Sequence, residues 1–156
     1  MANAFQRTTP AVLNLIIINA LVFVAQLTLD KSIGLTDLLA LYPYHSGLFK
    51  PYQLLTHMFA HGGFLHILLN MYALWMFGTI LERVWGAKRF LIFYFVCGLA
   101  AGLTQMLLVQ NAPAIGASGA IMGLLAAFAY LFPSFPLRNK YTNTKPDSAP
   151  PKCAIQ

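Results

Sequence analysis

Long apolar segments separated by short polar stretches are the feature that most limits what this chain can fold into. Of its 156 residues, 58% are hydrophobic and only 9% are charged. A soluble domain carries about 25% charged residues, because polar groups must cover its water-facing surface. This chain cannot cover itself with charge, so lipid is the expected solvent of its outer surface. We therefore predict a membrane protein.

Four segments are predicted to form membrane helices, since a span takes roughly 20 residues at a rise of about 1.5 Å per residue. They lie near residues 12–29, 64–81, 90–109 and 118–132. The last is short, which is tolerated where one helix end meets a water-filled cavity instead of lipid. The predicted fold class is an all-α membrane protein.

The positive charges give these helices an orientation. The chain has ten Lys and Arg residues against four Asp and Glu residues, a net charge of +6. With four spans, eight of the ten positive charges lie on one side, which the positive-inside rule makes cytoplasmic. Both termini are then cytoplasmic, in what we expect to be a bacterial inner membrane. Residues 30–63 form a long outer loop whose aromatic residues suit the membrane interface.

The composition also bears on domains and partners. The positive charges form no basic stripe with aromatic residues between them, so nucleic acid is not an expected partner. Residues 137–156 change abruptly to Asn, Thr, Lys, Pro and Ser, which have little to pack and indicate disorder. We predict a membrane domain over residues 1–136 and a polar cytoplasmic tail over residues 137–156.

Polar and small residues inside the spans predict where helices meet. Asn14, Asn19 and Gln26 in the first span are costly against lipid and are expected to face other helices. Gly98 and Gly102 in the third span have the four-residue spacing that lets two helices approach closely.

Ser118 is predicted to open the fourth helix at a buried position, within the small-residue turn Gly116–Gly119. A helix N-terminus offers free N–H groups and a positive dipole end, both suited to stabilising an oxyanion. Taken alone, the motif is better explained by a helix cap beside a packing ridge of Gly119, Gly123 and Ala127.

His66 and Asn70 are four residues apart and therefore share one face of the second helix. Two roles are open for them. They either hydrogen-bond neighbouring helices, or donate hydrogen bonds to an oxyanion that develops near Ser118.

The other histidines and the charged pair of the second span have simpler interpretations. His57 and His61 are four residues apart, which with His66 invites a metal site, but the segment holds no carboxylate to act as a base. We favour packing or hydrogen bonding and predict neither metal nor cofactor. Glu82 and Arg83 are expected to form a solvated or interfacial ion pair at the cytoplasmic end of the second span.

In combination these residues resemble the rhomboid family of intramembrane serine proteases. The resemblance runs from about residue 12 to residue 133 and is carried by His57, His61, His66, Asn70, the Glu82-Arg83 pair, the Gly-rich third span and Gly-Ala-Ser-Gly at Ser118. It implies a rhomboid-like helical bundle with four of the usual six core transmembrane helices. It further implies that Ser118 is the nucleophile, that His66 and Asn70 stabilise the oxyanion, and that substrates are transmembrane proteins.

The chain departs from the family pattern in two ways. A serine needs a base to take its proton, and the family supplies a histidine from a sixth core helix, whereas no histidine follows His66 here. Met122 stands where the family usually has Tyr or Phe. We therefore expect a C-terminally truncated, inactive protease whose ridge at Gly119 lacks its packing partner. The alternative is a non-catalytic rhomboid-like module that binds transmembrane clients.

Overall fold

The computed structural model describes residues 8–109 and 112–133 and shows a bundle of helices. The predicted all-α class is confirmed, since the only β pairing in these two ranges is an isolated bridge between Leu41 and Ala114. The long helices are α1 (Pro10–Ile33), α4 (Phe64–Trp85), α5 (Ala87–Leu108) and α6 (Ser118–Leu131), with short helices α2 (Leu35–Leu39) and α3 (Gln53–Thr56) between α1 and α4. The predicted tail, residues 137–156, lies outside the described residues.

Three of the long helices can cross a membrane by length and composition. They are α1 with 24 residues and α4 and α5 with 22 residues each. Helix α6 has 14 residues, about 21 Å at 1.5 Å per residue, which is shorter than the roughly 30 Å hydrocarbon core. The described part of the chain therefore contains three full-length spans and one short apolar helix, where the sequence predicted four spans.

Helix α4 changes its winding in the middle. The stretch Leu74–Gly78 is π-helical and contacts both α1 and α6. A Cβ atom added to Gly78 would lie 3.0 Å from Val12 Cγ2 and 3.3 Å from Phe90 Cζ. The lack of a side chain at Gly78 therefore lets α1 and α5 pack closely against α4 at this level.

The burial pattern is that of a membrane bundle. The interior is filled by large apolar and aromatic side chains, among them Phe90, Tyr94 and Leu124. The outer faces of the long helices are also apolar; Leu21 is 64% exposed and Leu107 63% exposed. Because exposed apolar area on this scale is unfavourable in water, these faces fit a lipid environment.

The buried polar residues of α1 follow the prediction at two of three positions. Asn19 and Gln26 are buried, and Gln26 donates to Thr36 Oγ1 at 2.8 Å. Asn14 is exposed, so its predicted packing against another helix is wrong. It lies on the outer face of α1, against which no helix of residues 8–109 or 112–133 packs.

Helices α5 and α6 form the closest helix pair, and glycines make the approach possible. A Cβ atom on Gly119 would lie 2.5 Å from Ala101 Cβ, and one on Gly123 would collide with Cys97. The expectation that the ridge at Gly119 lacks a packing partner is therefore wrong, because its partner is the preceding helix. On another face of α5, Gly98 and Gly102 make room for Met58 and His57 of the outer loop.

Glu82 is buried instead of lying in a solvated ion pair. It is only 2% exposed, and its two carboxylate oxygens accept hydrogen bonds from the backbone N–H groups of Ala11 (3.0 Å) and Val12 (2.8 Å). Thr9, the N-cap of α1, makes no side-chain capping bond, and Pro10 has no N–H to satisfy. The interfacial ion pair predicted for Glu82 and Arg83 is thus wrong: the carboxylate of α4 caps the first turn of α1, which would otherwise present unpaired donors.

We expect Glu82→Gln to lower the free energy of unfolding by about 1–3 kcal/mol, because an amide offers one acceptor oxygen where the carboxylate offers two. Lys88→Gln, which removes an exposed charge at the neighbouring start of α5, is the control and should change it by less than about 0.5 kcal/mol. Unfolding by SDS titration in detergent micelles measures both. Equal stability of the two variants would contradict the capping role.

Candidate active site

Ser118 begins α6 and faces a small open cavity. The predicted burial of Ser118 is wrong, since the residue is exposed and nothing in residues 8–109 or 112–133 covers it. The cavity has a volume of about 100 Å³ and its polar lining comes from Ser118, His57 and Gln105. Within the described part of the chain the Ser118 hydroxyl has no hydrogen-bond partner.

The turn before Ser118 is fixed by backbone contacts to the outer loop. The N–H of Gly116 donates to the carbonyl of His57 at 2.8 Å, and Leu41 and Ala114 exchange hydrogen bonds of 2.9 and 2.8 Å. Gly116 has a φ of +110°, a conformation that residues with side chains rarely adopt. These contacts hold the start of α6 against residues that are distant in sequence.

His66 lies directly against this turn. Its Nδ1 accepts a hydrogen bond from the Gly62 N–H at 3.3 Å, which makes Nδ1 the unprotonated nitrogen and Nε2 the donor. A Cβ atom on Gly116 would lie 2.8 Å from this Nε2. The Nε2 edge of the His66 ring therefore lies against Gly116, two residues before Ser118.

Asn70 is placed differently from His66. It is buried, and its side-chain amide donates to the carbonyl of His66, one turn earlier in α4, at 2.8 Å. Neither Asn70 nor His66 lines the cavity of Ser118. The structure thus brings His66 to the turn of Ser118 and holds Asn70 behind it, where one of its amide hydrogens is already used within the helix.

His57 and Gln105 are cavity residues that the sequence did not assign to this site. The Nδ1–H of His57 donates to the Gln53 carbonyl at 2.8 Å, so Nε2 carries the lone pair. Burial lowers the pKa of His57 below its ordinary value. Gln105 lies one turn after Ala101, which also lines the cavity, so the i, i+4 spacing on α5 was the only signal for it.

His61 belongs to a buried polar cluster beside the site. Its backbone N–H donates to Gln26 Oε1 at 3.0 Å, its carbonyl accepts from Gln26 Nε2 at 3.2 Å, and its ring lies 5.2 Å from that of His66. Nδ1 of His61 is 3.2 Å from the Phe59 carbonyl. Burial, and secondly the neighbouring His66, lower the pKa of His61 to about 4.

The three histidines do not converge on a common point. The ring of His57 is turned towards the Gln53 carbonyl and that of His61 towards the Phe59 carbonyl. In the part of the chain that the structure describes, no group of three His, Cys, Asp or Glu side chains is arranged to hold a metal ion.

We expect Gly116→Ala to destabilise the protein by about 1–3 kcal/mol, because it adds a methyl group against the His66 ring at a positive φ. Gly63→Ala is the matched control: Gly63 is extended, and a Cβ atom added there meets nothing within 4 Å. Thermal unfolding in detergent distinguishes the two, and a similar loss in both would contradict the role assigned to the turn.

We expect the stability of the protein to fall as the pH is lowered from about 6.5 towards about 4. In this window the unfolded chain protonates His61 but the folded protein, in which the pKa is about 4, does not, so acid favours unfolding. His61→Asn should flatten the curve of unfolding free energy against pH. His45→Asn, a change at an exposed loop histidine, should leave it unchanged, and equal slopes in all three proteins would refute the assignment.

Comparison with known proteins identifies the family of this chain. The Rhomboid domain family matches residues 48–147. The chain is 39% identical over 80 residues, 51% of its length, to Rhomboid protease GluP of Bacillus subtilis (strain 168). It is 41% identical over 81 residues, 48% of its length, to Rhomboid protein 1, mitochondrial, of Saccharomyces cerevisiae. It is also 35% identical over 80 residues, 51% of its length, to Inactive rhomboid protein 1 of Drosophila melanogaster.

The matched segments are 16%, 23% and 6% of the lengths of these three relatives. The relatives include one protein named as a protease and one named as inactive, so similarity alone assigns the family and not the activity. The family match covers more than half of the chain, and the helices α1, α4 and α5 are apolar and long enough to cross a bilayer. The chain is a multi-pass membrane protein and belongs to the rhomboid family.

Proposed function

We propose that this chain carries the nucleophile and the oxyanion-binding residues of a rhomboid-type intramembrane serine endopeptidase. The observation that carries the proposal is the placement of the His66 Nε2–H against Gly116, two residues before Ser118. A histidine that keeps its Nε2 as a donor, beside a serine at a helix N-terminus, is suited to stabilising the oxyanion that forms when the serine attacks a peptide bond.

In the proposed reaction, Ser118 Oγ attacks the carbonyl carbon of a peptide bond in a transmembrane substrate. The carbonyl oxygen becomes an oxyanion, which the His66 Nε2–H and the free N–H groups at the start of α6 stabilise. Asn70 is proposed to contribute its remaining amide hydrogen to this site. Its bond to the His66 carbonyl, 2.8 Å long, also holds the first two turns of α4 together.

The step that these residues do not provide is removal of the Ser118 proton. His57 lines the same cavity and its Nε2 carries a lone pair, but no hydrogen bond joins it to Ser118 in the described residues. Burial lowers the pKa of His57, which makes it a weak base. We therefore propose that the 156 residues by themselves do not turn over substrate.

The proposed topology puts both termini in the cytoplasm of a bacterial cell, with Ser118 reached from the outer side of the inner membrane. The positive charges on Arg83, at the end of α4, and on Lys88 and Arg89, at the start of α5, support this orientation. Substrates or clients would then be transmembrane proteins that enter the bundle laterally from the bilayer.

The second candidate is a non-catalytic module that binds transmembrane clients. It is favoured by the similarity to a relative named as inactive and by the Ser118 hydroxyl, which has no hydrogen-bond partner among the described residues. In this case client capture should survive Ser118→Ala, because binding would not need the hydroxyl.

Chemical rescue tests the proposed site. In proteoliposomes the chain should react slowly with a fluorophosphonate probe, and added imidazole should raise the rate at least about tenfold by taking the Ser118 proton. Ser118→Ala should abolish the rescued labelling, and His66→Ala should lower it by roughly 100-fold, as expected for loss of an oxyanion donor. Ser32→Ala, at an exposed serine bonded to the Leu29 carbonyl, is the matched control.

Three outcomes decide between the alternatives. Imidazole-dependent labelling at Ser118 supports the proposed nucleophile and oxyanion-binding residues of a protease. No labelling with imidazole, together with client capture by Ser118→Ala, supports the binding module. Cleavage of a transmembrane substrate without any addition, lost in Ser118→Ala, would show that the chain is an active protease and that the proposed inactivity is wrong.

A further inference from the structure

The outer loop contains a second cavity, separate from that of Ser118. It has a volume of about 370 Å³, in the range of small-ligand sites. Helix α2 and the start of α3 form its walls. The polar side chains in its lining are Asp37, Tyr42, Lys50 and Gln53.

This cavity lies at the depth of the lipid headgroups. Its lining includes Ile33 and Gly34, at the end of α1. A helix of 24 residues is about 36 Å long, slightly more than the roughly 30 Å hydrocarbon core, so its last turn reaches the interface. The apolar side chains in the lining, Ile33, Leu38, Leu48 and Tyr52, are 55%, 47%, 57% and 50% exposed.

The two charged residues of the cavity are not neutralised by each other. Lys50 and Asp37 line the same cavity, but neither makes an ion pair in the described part of the chain. Asp37 Oδ1 accepts a hydrogen bond from the Tyr42 hydroxyl at 3.2 Å, which leaves Oδ2 for a ligand. Burial, and secondly the charge of Asp37, raise the pKa of Tyr42, so its hydroxyl remains a donor.

The buried side chain of Gln53 holds the loop that carries Lys50 in place. Gln53 is 2% exposed; its Oε1 accepts from the Lys50 N–H at 3.0 Å and its Nε2 donates to the Leu48 carbonyl at 3.3 Å. The buried amide thus fixes the backbone of both Leu48 and Lys50. The backbone that carries the Lys50 side chain and the Leu48 part of the apolar rim therefore has a defined position in the loop.

We propose that this cavity binds the headgroup of a phosphatidylethanolamine molecule of the outer leaflet, with the phosphate at Lys50 and the primary ammonium at Asp37. A zwitterionic headgroup satisfies both charges at once, whereas an anionic lipid such as phosphatidylglycerol leaves Asp37 facing a like charge. The acyl chains would lie against the exposed apolar rim. The lipid would thereby brace the outer loop that also carries His57 and His61.

Retention of lipid by the purified protein tests this site. The full chain is reconstituted in nanodiscs of equal parts phosphatidylethanolamine and phosphatidylglycerol, extracted in mild detergent, and its bound lipids are counted by native mass spectrometry. The parent protein should retain phosphatidylethanolamine in preference. Lys50→Gln should lower this retention roughly tenfold, since it removes a charge-assisted bond to phosphate, and Lys50→Arg should preserve it.

Asp37→Asn gives a result that loss of folding cannot imitate. It should lower the retention of phosphatidylethanolamine roughly tenfold while leaving that of phosphatidylglycerol equal or higher, because only the ammonium partner is lost. Lys31→Gln, at an exposed lysine of α1 outside the cavity, is the control and should have no effect.

Equal retention of the two lipids by the parent protein would overturn the proposal, as would equal losses in Lys50→Gln and Lys31→Gln. Soluble phosphoethanolamine that binds as tightly as phosphatidylethanolamine would also overturn it, because the acyl chains would then contribute nothing and the ligand would not need to be a membrane lipid.

Discussion

Backbone polar groups at membrane depth must find partners inside the protein, because lipid offers none, and this constraint governs the structure. At the start of α1, the donors of Ala11 and Val12 are satisfied by Glu82, about 70 residues away along the chain. Before the start of α6, the N–H of Gly116 donates to the carbonyl of His57, and Ala114 pairs with Leu41 through two backbone hydrogen bonds. At both places, backbone groups that no helix satisfies are bound by another segment of the chain.

The second of these contacts also builds the candidate site. The hydrogen bond between Gly116 and His57 fixes the turn, and the absence of a side chain at Gly116 lets the His66 ring reach it. The tautomer of His66 is set in turn by the Gly62 N–H. One connected set of contacts, between the outer loop and the starts of α4 and α6, thus positions Ser118, the His66 ring and the cavity.

Much of the fold could be predicted, because local composition dictates it. The apolar runs that became α1, α4 and α5 are continuous in sequence, and lipid exposure makes a helix their only stable form. Helix spacing left two roles open for His66, and the family resemblance favoured the one near Ser118. Glu82 was misassigned because its partners are donors on α1, which no local pattern reveals. The exposure of Ser118 was missed because a small residue between glycines is usually covered by another helix.

The sequence by itself determined the helical class, the membrane environment and the identity of the polar residues, since these follow from composition and from spacing along one helix. Only the tertiary structure decided what those residues contact. It turned the predicted ridge of α6 against α5, sent Glu82 to cap α1, and placed His57 beside Ser118 in one cavity. The physical reason is that each of these contacts joins segments far apart in the chain, and long-range packing leaves no periodic trace in the sequence.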